Sequence, residues 1–188
     1  MPQGTGDTET LPDLLADGLD IVSVGLNPSP PSVRAGTYFA NPRNRFWPAL
    51  NGSGLIDEAL QPGPEAMRRL LERHRIGFTD LVKRPTPGAA GLRAADYRTG
   101  APLLQTKLLS HRPRLIWFHG KVAWANFLKY GPGGVARIDW GLQPMAIGAS
   151  PVFVTPNPSP ANAAFSLELL IEHYRALKRL RDALLTAD

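Results

Sequence analysis

Cysteine is missing from all 188 residues. That excludes disulfides, thiolate-held zinc, iron–sulfur clusters and a cysteine nucleophile. No apolar stretch is long enough to cross a bilayer. The opening "MPQGTGDTET" is polar and acidic, unlike a secretory signal. The expectation is a cytoplasmic protein without a membrane partner, nucleoid-associated if bacterial. There is no Gly-x-Ser-x-Gly elbow and no Walker loop, which ranks esterase and nucleotide-hydrolase chemistry low. His74, His111 and His173 have no neighbours at metal-ligand spacing. Acidic residues are also in deficit, 16 against 21 Lys and Arg, for a formal net charge of +5. That excess suits a polyanionic partner without demanding one, since a merely basic enzyme would show it too.

What is present is ordinary globular material, 43% hydrophobic and 20% charged, enough for a core of one domain. The expected organisation is a flexible N-terminal tail over residues 1–12 and a single domain over residues 13–188. "DIVSVGL", "PRLIWFHG" and "PVFVTP" are short apolar, β-branched runs that read as buried strands. "IGFTDLV" fits a strand or an extended loop. "NPRNRFWPALNGSGL" reads as a helix capped by Asn41 with Pro42 at its first position. "PEAMRRLLERHRI", "DYRTGAPLLQTKLLSHR" and "KVAWANFLKYG" have helical spacing. So does "FSLELLIEHYRALKRLRDALL", whose Leu169, Leu170, His173, Leu177, Leu180 and Leu184 fall near one face. "KRPTPGAAGLRAADY" is loop-like. Strands alternating with helices imply a three-layer α/β/α sandwich around a central, mostly parallel sheet. Ligands of such sheets bind beyond the carboxyl ends of the strands.

Two of those ends carry the same tetrapeptide. "GLNPSPPS" follows the first strand and "TPNPSPAN" the last, so Asn27 and Asn157 each precede a proline. Proline fixes its own φ and pushes the preceding residue into extended backbone. Each Asn is therefore a short, stiffly held amide with a donor and an acceptor and no charge to titrate. It can orient a water or a planar ligand but cannot be a general base. A plain strand-terminating turn would explain either copy alone. Between them "AGTYFANPRNRFW" offers Tyr38 and Phe39 as loop aromatics able to stack on a base, or to cap the core. Phe46 and Trp47 read as core. Arg34, Arg43 and Arg45 could meet phosphates or form a solvated face.

"GLNPS", "AGTYFANPRNRFW", "GFTDLVKRPT", "HGKVAW" and "PNPS", in that order, resemble the mismatch-specific uracil-DNA glycosylase and thymine-DNA glycosylase family. The resemblance runs from about Asp20 to the last helix. It implies a uracil-DNA glycosylase-like fold and a monofunctional enzyme that hydrolyses the N-glycosidic bond of uracil in DNA, with no cofactor and no metal. The partner would be double-stranded DNA holding a uracil mismatch, and the protein a monomer. By similarity, Asn27 holds the water that attacks C1′ of a flipped-out nucleotide. Gly25, Leu26, Pro28, Ser29, Tyr38, Phe39 and Asn44 surround the base, with Phe39 stacked on it. Asn157, Pro158, Ser159, Pro160, Ala161 and Asn162 form the loop that enters the duplex. Lys121, Lys83 and Arg84 meet the phosphates. His119, beside Lys121, reads as structural at the groove rim.

Three positions depart from the family pattern. Ser29 stands where Gly is common, which adds a side chain beside the base pocket. Asp80 stands where a neutral or basic residue is expected. It could polarise the water, contact the base, or serve only local backbone. The wedge has Pro160, Ala161 and Asn162 in place of Leu or Arg, which implies a weaker grip on the opposite base and a substrate range extending to single-stranded DNA. The competing reading is a non-catalytic nucleic-acid-binding α/β module on the same scaffold.

Overall fold

The computed structural model describes residues 9–134 and 137–187. The expected three-layer sandwich is what it has. Five strands, β1 (Ile21–Gly25), β2 (Ile76–Asp80), β3 (Leu115–His119), β4 (Gly141–Leu142) and β5 (Val152–Thr155), form one sheet in the order β2-β1-β3-β5-β4. All pairings are parallel except that of β4 with β5. The helices are α1 (Pro30–Ala35), α2 (Phe46–Ser53), α3 (Pro64–Glu72), α4 (Ala94–His111), α5 (Lys121–Tyr130) and α6 (Leu167–Thr186).

The near-continuous apolar strands follow from burial on both faces. Successive side chains alternate. Ile21, Leu115, Trp117 and Phe153 join the core under α2, α3 and α6, with Phe46, Leu50, Leu70, Tyr174 and Leu177. Val22, Val24, Ile116, Phe118, Val152 and Val154 join the core under α4 and α5, with Leu104, Leu108, Trp124 and Phe127. The ambiguous "IGFTDLV" opens with a fully buried strand, Ile76–Asp80, because it completes the sheet beside β1.

Four readings need correction. The Asn41 helix starts later, at Phe46. Asn41 and Asn44 instead make turns, their Oδ1 atoms accepting from the N–H groups of Arg43 and Phe46. On α6 the face is rotated: Tyr174 is buried while Leu169 is 48% exposed, since i±3/4 neighbours of Leu170 and Leu177 define the stripe. Two short elements, α1 and β4, were not expected. Pro30 and Pro31 open α1 at positions where a missing N–H costs nothing. Residues 1–8 of the proposed tail lie outside the described residues, but Thr10 to Pro12 are part of the body. Leu11 is buried, the Thr10 hydroxyl donates to the Lys83 carbonyl, and Tyr38 donates to the Pro12 carbonyl at 3.0 Å.

Candidate active site

Parallel register brings the carboxyl ends of the strands to one edge. Gly25 lies beside Asp80 and His119 beside Thr155. Above this edge is a cavity of about 410 Å³. It gathers Gly25, Leu26, Asn27, Pro28, Ser29, Tyr38, Phe39, Asn44, Asp80, Asn157, Ser159, Ala161 and Asn162 from the sequence reading. Pro158, Pro160, Lys83, Arg84 and Lys121 are not in its wall.

The first turn is fastened to the segment after β2. Leu81 N–H donates to the Gly25 carbonyl, Val82 to Leu26 and Thr86 to Pro28, at 2.9, 2.9 and 3.2 Å. Asn27 joins this seam through Nδ2, which donates to the Arg84 carbonyl at 2.9 Å and to Thr86 Oγ1 at 2.7 Å. The Thr86 hydroxyl spends its own proton on the Gly88 carbonyl. Both Asn27 partners are thus acceptors, which fixes the amide orientation. Oδ1 is left with no donor among the described residues.

Asp80, next to it, is 4% exposed. A Cβ placed on Gly25 would come within 2.6 Å of Asp80 Oδ1, so glycine is required there for the carboxylate to stand where it does. Oδ2 is buried without a hydrogen bond and lies 3.5 Å from Lys83 Nζ. Burial pushes the Asp80 carboxyl up to about 6, with Lys83 pulling it down and Asp13 pushing it up. It is therefore mostly ionised at neutral pH.

Tyr38 is not a stacking aromatic. It is 4% exposed and tilts against Phe78 at 5.2 Å, and burial holds its hydroxyl neutral. Phe39 keeps the expected place in the wall. It is half-buried, backed by Phe46 in a 4.2 Å stack and edged by His119 at 5.1 Å. Its φ of 57° is left-handed, a conformation costing about 1 kcal/mol for a side-chain residue. Neighbouring Ala40 N–H is fixed by Ser32 Oγ. Ser29 caps α1: its Oγ accepts from Ser32 N–H and donates to Ser32 Oγ. That is what the Ser29 side chain adds at this position.

The second turn is built differently. Asn157 Oδ1 accepts from Ser159 N–H at 2.9 Å, closing a local turn. Asn162 Nδ2 donates back to the Asn157 carbonyl at 3.0 Å. Arg45 locks the loop. Its guanidinium donates to the carbonyls of Phe165, Ser159 (3.0 Å) and Asn162 (2.9 Å), and its own N–H donates to Pro158. Arg45 is thus structural and does not face a phosphate.

The residues expected to meet phosphates have partners within the protein. Lys83 is held by Asp13 at 2.8 Å, Arg84 by Asp96 at 2.7 Å, and Lys121 lies 4.5 Å over the Trp140 ring. His119 is buried, 2.7 Å from Ser23 Oγ, and desolvation lowers it to about 3. Desolvation thus favours its neutral form. The wall also includes Leu11, Ser32, Asn41, His119 and the run Thr86 to Ala89. Of these, Thr86 to Ala89 were readable from the Pro-Gly-rich loop at the β2 carboxyl end; Leu11 had no sequence signal. Among the described residues, Asp57, Glu58 and His74 also come together. Arg69 and Arg73 already bind Asp57 and Glu58, so the cluster is an ion-pair network.

The sequence matches the family described as the uracil DNA glycosylase superfamily over residues 12–180. Its fold is similar to the solution NMR structure of a "putative Uracil DNA glycosylase" from Methanosarcina acetivorans. The TM-score is 0.56 at 24% identity, covering 93% of this chain and 98% of that one. No helix among the described residues is long and apolar enough to cross a membrane.

Proposed function

The chain belongs to the uracil DNA glycosylase superfamily, and from that premise we propose that it releases uracil from DNA by hydrolysing the N-glycosidic bond. One observation carries the reading. Asn27, whose Oδ1 has no donor among the described residues, and Asp80, two acceptor-bearing residues at adjacent strand ends, both line a cavity large enough for a flipped base.

A water accepted between them donates hydrogen bonds to Asn27 Oδ1 and to Asp80. As the C1′–N bond breaks, its electron pair leaves on the base and the sugar becomes oxocarbenium-like. The water oxygen then bonds C1′ and its proton passes to Asp80. The base anion is stabilised by N–H donors near the first turn and Phe39, and Phe39 stacks on the ring. The loop from Asn157 to Asn162 enters the duplex. Its small tip, exposed Ala161, supports tolerance of the opposite base, hence activity on G:U, A:U and single-stranded uracil.

The test is a uracil oligonucleotide incubated with the protein and then treated with alkali. Nicks at uracil in G:U, A:U and single-stranded substrates are expected. Binding without nicks would favour the non-catalytic module. Cleavage confined to G:U duplex would overturn the broad range.

A further inference from the structure

Lys83 sits where a DNA contact was expected, yet its ammonium points into the protein. Nζ is 2.8 Å from Asp13 Oδ1, 3.5 Å from Asp80 Oδ2 and 3.5 Å from the Tyr38 hydroxyl. Asp13 is itself shared. Oδ1 also accepts from Thr79 Oγ1 at 2.8 Å, and Oδ2 lies 2.5 Å from Lys107 Nζ on α4. Two carboxylates and two ammoniums from three separate chain segments thus alternate toward the cavity floor. Lys107 closes the outer end and Asp80 the inner end.

The arrangement is asymmetric at Asp80. Lys83 approaches Oδ2, which is buried without a hydrogen bond, while Oδ1 lies on the Gly25 side. A lone carboxylate this buried would take up a proton. The other titratable groups facing it are Asp13 of the N-terminal segment, Lys107 of α4 and the neutral Tyr38 hydroxyl. Neutral His119 lines the same cavity. Lys83 is the nearest positive charge.

We propose that Lys83, held by Asp13, which Lys107 holds in turn, is a positioning residue. It holds the Asp80 carboxylate ionised with Oδ1 toward the attacking water, and it is not a DNA contact. The inference rests on the reading of Asp80 as the group that takes the proton from water. Asp13 acts in the opposite direction: it draws Lys83 away from Asp80 and adds negative charge nearby.

The test is single-turnover uracil release at saturating protein between pH 5 and 9, with DNA affinity measured separately. Wild type should lose rate as pH falls through about 6. Lys83→Met should move this acid limb up by about one unit or more, slowing release about two-fold or more at pH 7 with recovery by pH 9. Lys83→Arg should restore the wild-type limb. Asp13→Asn should move the limb down, opposite in sign, which a general folding defect would not do. A uniformly lower rate in Lys83→Met with the limb unmoved would overturn the proposal, as would loss of affinity alone. If Asp80→Asn keeps the full rate and the acid limb, the underlying assignment of Asp80 fails instead.

Discussion

The two Asn-Pro-Ser-Pro turns have the same sequence and opposite polarity. At the first, the Asn27 amide N–H groups are consumed by Arg84 and Thr86, and the carbonyl oxygen is left over. At the second, Asn157 Oδ1 is consumed by Ser159 N–H, and Nδ2 has no acceptor among the described residues, so the donor is left over. The first turn is seamed to the neighbouring strand's continuation; the second is folded on itself and clamped by Arg45. One rigid tetrapeptide therefore yields an acceptor or a donor according to what surrounds it. Neighbouring backbone decides the chemistry of an Asn as much as its own side chain does.

The contrast breaks most sharply at Asn27. Asn27→Ala removes the acceptor and should slow uracil release about 100-fold or more, read as a single-turnover rate with DNA affinity retained. Gly25→Ala comes next. A Cβ there meets Asp80 Oδ1 at 2.6 Å, so the carboxylate must turn away, with a loss of about 10- to 100-fold in the same assay. Asn157→Asp keeps the acceptor for Ser159, replaces the donor with an oxygen and adds a negative charge. It should melt within a few degrees of wild type and release uracil about 10-fold more slowly. An unchanged rate would show that the second amide faces no substrate acceptor. Ser29→Gly should do least. It removes a cap worth a few tenths of a kcal/mol, shifting the melting temperature by about 1 °C and leaving the rate intact.

The sheet and its edge were legible because they follow from local pattern. Buried strands such as "LIWF" are continuous apolar runs ended by glycine, and the cavity lies beyond those ends by topology alone. The residue types around the cavity came from the ordered motifs. The direction of each polar group did not. Lys83, Arg84 and Arg45 look alike as surface cations in the sequence. Their carboxylate and carbonyl partners, Asp13, Asp96 and residues 159–165, are brought to them by tertiary folding. Tyr38 and Phe39 are adjacent, yet left-handed backbone at Phe39 sends one ring into the core and the other to the wall. Leu11 and Asp13 reach the site from a segment with no periodic signal at all.

The division between a chemical turn and a DNA-entering turn is tested most directly by comparing two variants on two substrates. Asn27→Ala and Arg45→Lys would be assayed for single-turnover uracil release from single-stranded DNA and from a G:U duplex. Asn27→Ala should lose both activities in equal proportion. Arg45→Lys, which loosens the loop at Ser159, Asn162 and Phe165, should lose duplex activity about 10-fold while keeping most of the single-strand rate. Equal losses on both substrates for both variants would contradict the division.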